Sequence, residues 1–249
     1  MPKPFRFAVQ LEGPLEGRTW AESCRVLEDL GYSSVLVPDH LDEGLGPIAA
    51  MASAAAVTTE LRVGALVLDC DFRHPALLAR ELATIDQLSE GRLEVGIGAG
   101  WKRVDYERSG IPMDRPGVRV SRMIEHGRIL REYLSGSQVD LHGEYYDVSV
   151  LLADIATHSP GGPPFIIGGG APRLLRFAGG FADIVGVNPS IHSGEIDTEA
   201  ARDGMPERID ESSRGCVRVR PAAPTERVST TSSSTPGLPS LRSPRTAMP

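Results

Sequence analysis

Aromatic side chains make up only 5 % of this 249-residue sequence, and none of the 13 lies beyond Glu211. Cysteine is scarce too. Cys24, Cys70 and Cys216 are odd in number and show neither metal-ligand nor redox spacing, which argues against a disulfide scaffold. Cys24 falls on the apolar stripe Trp20, Cys24, Leu27 of an expected helix, so the cysteines read as buried thiols of a reducing compartment. Long hydrophobic runs are missing: the longest, around Ile48 to Val57, is far short of the about 20 residues of a membrane span. The N-terminus lacks the apolar stretch of a signal peptide, and a cytoplasmic location is expected. Lys/Arg clusters are also lacking, which disfavours nucleic acid or an anionic membrane as partner and leaves a small-molecule substrate.

What is present falls into two unlike pieces. Residues 1–211 hold 32 of the 33 acids and carry a formal charge of −12. Residues 212–249 contain 19 Ser, Thr or Pro, six Arg and one acid, and cannot bury enough apolar surface to offset the entropy of ordering them. The expected organisation is one domain over 1–211, large enough for a single core, and a disordered tail over 212–249.

Within the first piece, strand and helix patterns alternate. Phe5 to Leu11 reads as a strand; Thr19 N-caps a helix running to Leu30 and stopped by Gly31. Strand Ser34 to Pro38, helix Ile48 to Thr58, strand Arg62 to Leu68, helix Pro75 to Leu88 and strand Leu93 to Ile97 follow. Each strand is a short, nearly continuous apolar run, as expected when a parallel sheet is covered on both faces. After a helix from about Arg119 to Leu134 comes an excursion, Val139 to Leu141 and Tyr145 to Val148 flanking His142-Gly143-Glu144, with hairpin character. Strand Phe165 to Ile167, helix Arg173 to Ala178 and strand Asp183 to Val187 complete six parallel strands. Periodicity alone leaves an open doubly wound sheet and a closed eight-stranded barrel as alternatives.

In both folds ligands sit beyond the carboxyl ends of the strands. Those positions hold Pro38-Asp39-His40, Asp69-Cys70-Asp71, Gly98-Ala99-Gly100-Trp101-Lys102-Arg103 and Gly168-Gly169-Gly170-Ala171-Pro172-Arg173. Gly168, Gly169 and Gly170 let backbone N–H groups approach a ligand just before a helix N-terminus, which favours an anion such as phosphate. A tight turn needing positive φ is the alternative for one such cluster; Gly98 and Gly100 form a second. Neither follows a first strand as G-x-G-x-x-G, which disfavours a nicotinamide-binding domain. Trp101 is placed to cover a flat ring, with Lys102 or Arg103 meeting phosphate or carboxylate or else standing in solvent. His40, with Asp39 beside it in sequence, is the leading proton-transfer candidate. His74, before Pro75, reads as local packing, and His126, His142, His158 and His192 have no partner spacing; no metal site is expected.

The strand ending Val37-Pro38-Asp39-His40, the run Arg73-His74-Pro75-Ala76-Leu77-Leu78-Ala79, the stretch Gly91-Arg92-Leu93-Glu94-Val95-Gly96-Ile97-Gly98-Ala99-Gly100-Trp101, Gly110-Ile111-Pro112 and Pro163-Pro164-Phe165-Ile166-Ile167-Gly168-Gly169-Gly170 occur in this order. Together they resemble the luciferase-like flavin and deazaflavin oxidoreductases, over about residues 5–210. The resemblance implies a (β/α)8 TIM barrel with a flavin-type ring at its carboxyl-terminal mouth and a small organic substrate stacked against it. The overall wording favours the deazaflavin branch and coenzyme F420, with FMN and a monooxygenase reaction as the alternative. In that branch Asp39 and His40 lie beside the ring, and His40 gives or takes a proton during hydride transfer. The resemblance also implies a non-proline cis peptide at Leu66-Val67 buttressing the ring, with Gly98, Ala99, Gly100, Trp101 and Gly168 to Gly170 completing the cofactor site. The family's F420-dependent glucose-6-phosphate dehydrogenases carry a glutamate where this chain has Trp101, which argues against sugar-phosphate chemistry. Homodimers are common in the family.

The family's barrel has two further β/α units, and no segment after Val187 reads as either, so an incomplete barrel of about six units is expected. The edges of Phe5 to Leu11 and Asp183 to Val187 would then lack partners, with impaired activity or a non-catalytic, cofactor-binding remnant as consequences. One permitted codon choice for Val228 to Gly237, read from its third base, gives F-D-D-L-E-L-N-T-W, an amphipathic run suited to the next unit. A reading-frame change between about Glu211 and Val228 would produce this, and the nucleotide sequence beyond the Glu211 codon tests it: an alternate frame without further β/α pattern refutes the idea.

Overall fold

The computed structural model of the chain describes residues 5–187. The expected boundary at Glu211, the tail 212–249 and Cys216 lie outside the described residues. In chain order the elements are β1 (Ala8–Gln10), α1 (Trp20–Asp29), β2 (Ser34–Val37), α2 (Pro47–Val57), β3 (Arg62–Ala65), β4 (Leu68–Asp69), α3 (Pro75–Leu88), β5 (Leu93–Gly98), α4 (Arg103–Ser109), α5 (Pro116–Leu134), β6 (Val139–His142), β7 (Asp147–Leu151), β8 (Phe165–Gly169), α6 (Pro172–Phe181) and β9 (Ile184–Val187).

Local chemistry sets the first helix. Glu22 N–H donates to the Thr19 hydroxyl and the Glu22 carboxylate accepts from Thr19 N–H, so two N-terminal donors are satisfied reciprocally. Trp20, on the inward stripe, donates its indole N–H to the Ala50 carbonyl at 3.0 Å and ties α1 to the alanine-rich α2. Cys24 is buried there, and burial pushes its thiol up to about 11, an unreactive packing group.

The main sheet runs β1-β2-β3-β5-β8-β9, every pairing parallel, with β4 also on β5. This order follows the sequence without reversal. A doubly wound sheet reverses direction at a switch point, whereas barrel strands add one after another, so the topology is that of the barrel. The hairpin β6–β7 is a separate antiparallel sheet, as its sequence pattern indicates.

One expected strand is broken. Arg62 to Leu68 divides into β3 and β4, and between them the Leu66–Val67 peptide is cis, as the resemblance implies. Gly64 pairs with Glu94 and Leu68 with Ile97, so β3–β4 advances four residues while β5 advances three. The extra residue forms a bulge. Room for it comes from glycine: a Cβ on Gly98 would lie 2.4 Å from Val67 Cγ2, and one on Gly96 would lie 1.8 Å from the Ala65 carbonyl oxygen. A second departure is α4, which contains Asp105 and Tyr106 and which apolar periodicity does not reveal.

At the amino-terminal end of the sheet one buried carboxylate joins several strands. Glu94, on β5, accepts from Ser34 Oγ on β2 at 2.9 Å and from Arg62 Nε on β3 at 2.9 Å; Arg6, ahead of β1, adds a further bond. Removing the carboxylate leaves the half-buried Arg62 without its ion-pair partner and Ser34 Oγ without its acceptor. Glu94→Ala is therefore expected to lower unfolding free energy by about 3 kcal/mol in urea titrations; a loss under about 1 kcal/mol would show that the network contributes little.

Candidate functional site

Burial falls off at the same level on neighbouring strands. β2 and β5 are buried throughout, and the chain becomes partly exposed at His40 after β2, at Leu66 and Val67 after β3, and at Ala99, Gly100 and Trp101 after β5. On β8 the same change comes at Gly169 and Gly170. The expected site residues are thus brought to one end of the sheet, the end where barrel enzymes place their chemistry.

The Asp39 and His40 side chains bond to different partners rather than to each other. Asp39 is buried and its carboxylate is held in bidentate fashion by Arg73, with the second bond at 3.1 Å, while Oδ2 also accepts the Asp69 backbone N–H at 3.0 Å. Its acceptor positions are committed to holding the loop after β4. His40 instead places Nδ1 at 2.8 Å from Asp105 Oδ2, whose other oxygen accepts the Leu41 backbone N–H at 2.9 Å. Asp105 is the hydrogen-bond partner that sequence reasoning misses, because 65 residues separate it from His40. Trp101 meets the His40 ring edge-to-face with centroids 5.6 Å apart. An imidazole fixed on one side by a carboxylate and on the other by an aromatic plane keeps Nε2 for proton exchange.

The loop after β4 holds a denser cluster. The Tyr106 hydroxyl lies 2.9 Å from Asp69 Oδ2 and 3.0 Å from Asp71 Oδ2. Arg122 donates from Nε to Asp71 at 2.7 Å and from a terminal nitrogen to Asp114 at 2.8 Å. Asp69, Cys70 and Asp71 bring their polar atoms within 4.8 Å of one another, and the Arg122 guanidinium is the cation of that cluster. Burial, then the adjacent acids, push the Cys70 thiol well up. Arg119, buried, donates to the carbonyls of Ala99 at 3.0 Å and Gly100 at 3.2 Å and so pins the glycine loop from α5.

The glycines divide by role. Gly100 has φ +69°, and a Cβ there would lie 1.8 Å from Tyr106 Oη, so the tight-turn reading holds at this position. Gly168 and Gly169 lie within β8, paired with Gly186 and Val187, and only Gly170 and Ala171 form the connection to α6. The α6 N-terminus has no side-chain cap, so its first N–H groups remain for a ligand or solvent. Lys102 is drawn away from any ring, donating to Asp42 at 2.7 Å and Glu43 at 2.6 Å. His74 accepts from Ala76 N–H as an N-cap, the local role expected for it.

A profile of the luciferase-like monooxygenase family matches residues 4–234. The chain belongs to that family. It is 30 % identical over 232 residues to an F420-dependent glucose-6-phosphate dehydrogenase of Nakamurella multipartita, covering 84 % of this chain and 66 % of the relative. A 5,10-methylenetetrahydromethanopterin reductase of Methanopyrus kandleri is 29 % identical over 217 residues, with coverage of 82 % and 60 %. Among solved structures, the coenzyme F420-dependent tetrahydromethanopterin reductase of Methanopyrus kandleri shares the fold, with a TM-score of 0.69 at 23 % identity over 86 % of this chain and 62 % of that one. The chain spans about two thirds or less of the length of these relatives. Among the described residues no helix is long and apolar enough to cross a membrane.

Buried beneath the cluster, His126 makes a long contact from Nδ1 to Tyr146 Oη at 3.4 Å, and its Nε2 has no hydrogen-bond partner among the described residues. Burial pushes this imidazole down from 6.5 to about 4. The unfolded chain therefore takes up a proton that the native state refuses, and stability should fall as pH drops from 6.5 to about 4. Proton NMR should show the His126 ring neutral down to about pH 4; protonation near 6.5 would contradict its burial.

Proposed function

We propose that this chain binds coenzyme F420 at the carboxyl-terminal end of its barrel strands and takes part in hydride exchange between that cofactor and a small organic substrate. The observation carrying this reading is the His40–Asp105–Trp101 arrangement, an oriented imidazole at the level where β2, β3, β5 and β8 lose burial together. The names of the F420-dependent relatives support the choice of cofactor.

The residues present fit a large planar anion. The bulge at Leu66–Val67 offers a partly exposed apolar ledge backed by Gly98, against which one face of a ring can lie. The uncapped N-terminus of α6, reached through Gly170 and Ala171, favours a phosphate group. When bound, the deazaflavin supplies the carbon that accepts or gives the hydride. His40 holds or delivers a proton at Nε2, and Asp105 fixes the ring through Nδ1. Asp39 anchors Arg73 and the loop after β4 and takes no part in proton transfer. Trp101 limits water access to His40 and shapes the substrate side of the pocket, which suits an apolar substrate better than a sugar phosphate.

Titrating the purified protein separately with F420 and FMN tests the reading: F420 should bind and FMN should not. Exclusive FMN binding would favour a monooxygenase, and binding of neither would leave a non-catalytic remnant. His40→Ala should retain F420 binding while lowering turnover by about 10²- to 10⁴-fold, and unchanged turnover would remove the proton-transfer role.

A further inference from the structure

Tyr106 has one hydroxyl proton and two carboxyl oxygens within hydrogen-bond distance, Asp69 Oδ2 at 2.9 Å and Asp71 Oδ2 at 3.0 Å. A phenol donates once, so one of the two contacts either sets lone pair against lone pair or runs the other way, from a carboxyl O–H to the phenol oxygen. In a buried site the first alternative is costly, which places an additional proton on one of the two acids. Asp71 is the wrong host: Arg122 Nε donates to it at 2.7 Å and favours the carboxylate. Asp69 is buried, has no ion pair among the described residues, and receives only the Asp71 backbone N–H at 2.9 Å on its other oxygen.

We propose that Asp69 is a neutral carboxylic acid that donates to Tyr106 Oη while Tyr106 donates to Asp71, and that this proton positions α4 and, through it, His40. The connection is short. Tyr106 and Asp105 are neighbours on α4, so the residue clamped by the two acids adjoins the residue that receives His40 Nδ1 and Leu41 N–H. The backbone above leaves no slack, since a Cβ on Gly100 would lie 2.4 Å from Asp69 Oδ2.

The charged and titratable surroundings of Asp69 come from every neighbouring element. Asp39, after β2, is neutralised by Arg73; Cys70 and Asp71 belong to the same loop as Asp69; α4 contributes Asp105 and Tyr106. From α5 come Arg122, the neutral His126, and Arg119, whose guanidinium lies 6.0 Å from the Tyr106 ring centre. Burial first, then the Asp71 and Asp39 carboxylates, push Asp69 up from 3.8 to about 7. Between those values the native protein holds a proton that the unfolded chain has released, so this group lowers stability progressively as pH rises across the window and adds no further change above it. Ionisation adds a charge beside Asp71 and Asp39 and takes away the donor to Tyr106, and α4 loses its clamp.

Infrared spectroscopy of the full chain tests this. In the difference between the wild-type and Asp69→Asn spectra, a carboxylic-acid carbonyl stretch should be present at about pH 6 and fade with a midpoint near 7. The thermal midpoint of the wild type should fall across the same range, with a shallower slope in Asp69→Asn. Absence of such a band from the difference spectrum at about pH 6 overturns the proposal. If Asp69→Asn does not fold, Tyr106→Phe serves: loss of the acceptor should raise the band's frequency, and an unmoved band refutes the assignment. A third arm rests on the proposed oxidoreductase reading: turnover should decline with a midpoint near 7 in the wild type and lose that limb in Asp69→Asn. The infrared result stands without a cofactor, so its failure tells against Asp69, while failure of turnover in both proteins tells against the F420 reading.

Discussion

Four aspartates, Asp39, Asp69, Asp71 and Asp105, are buried or nearly so at one end of a parallel sheet, and removing that much negative charge from water is the constraint around which this end is arranged. Each acid is met differently. Asp39 takes a bidentate guanidinium from Arg73, Asp71 takes Arg122, and Asp105 takes the His40 imidazole with a backbone N–H beside it. Asp69 meets no cation among the described residues and lies against a phenol instead. The counter-charges come from the loop before α3, from α5 and from the loop after β2, so the same interactions that make burial tolerable bind the mouth together.

The short helix α4 is the joint of this arrangement. Its two adjacent side chains reach different partners, Asp105 in the loop after β2 and Tyr106 at the end of β4 and the loop after it. Seven residues of helix have little stability of their own, so side-chain contacts and the left-handed Gly110 that ends the helix hold it in place. The Leu66–Val67 bulge and the side-chain-free Gly98 beneath it complete the floor. The side chains that meet at this end come mostly from loops and α4, while the strands hold those loops at one height.

Most of the scaffold was legible because it rests on local rules. The Thr19 capping box, the Pro75 start of α3 and the apolar runs of β2, β5 and β8 are each decided within a few residues, and they appear where the pattern puts them. The departures have a common cause. Val63 to Leu68 is an unbroken apolar run, and nothing in its periodicity marks a bulge whose space is provided by Gly96 and Gly98 some thirty residues away. The helix α4, Arg-Val-Asp-Tyr-Glu-Arg-Ser, has too few apolar positions to show a period. Gly168 and Gly169 resemble a loop in sequence but extend β8, because β9 is there to pair with them.

The sequence by itself determined the order of the β/α units, the six parallel strands and the end of the sheet at which Asp39, His40 and the glycine segments gather, since these follow from hydrophobic period and from residues just past each strand. Tertiary structure alone decided the partnerships: that Asp39 belongs to Arg73, that His40 belongs to Asp105, and that Tyr106 stands between Asp69 and Asp71. The physical reason is that a buried charge takes whatever counter-charge the packing brings within about 3 Å, and residues that far apart in the chain carry no local signal of meeting.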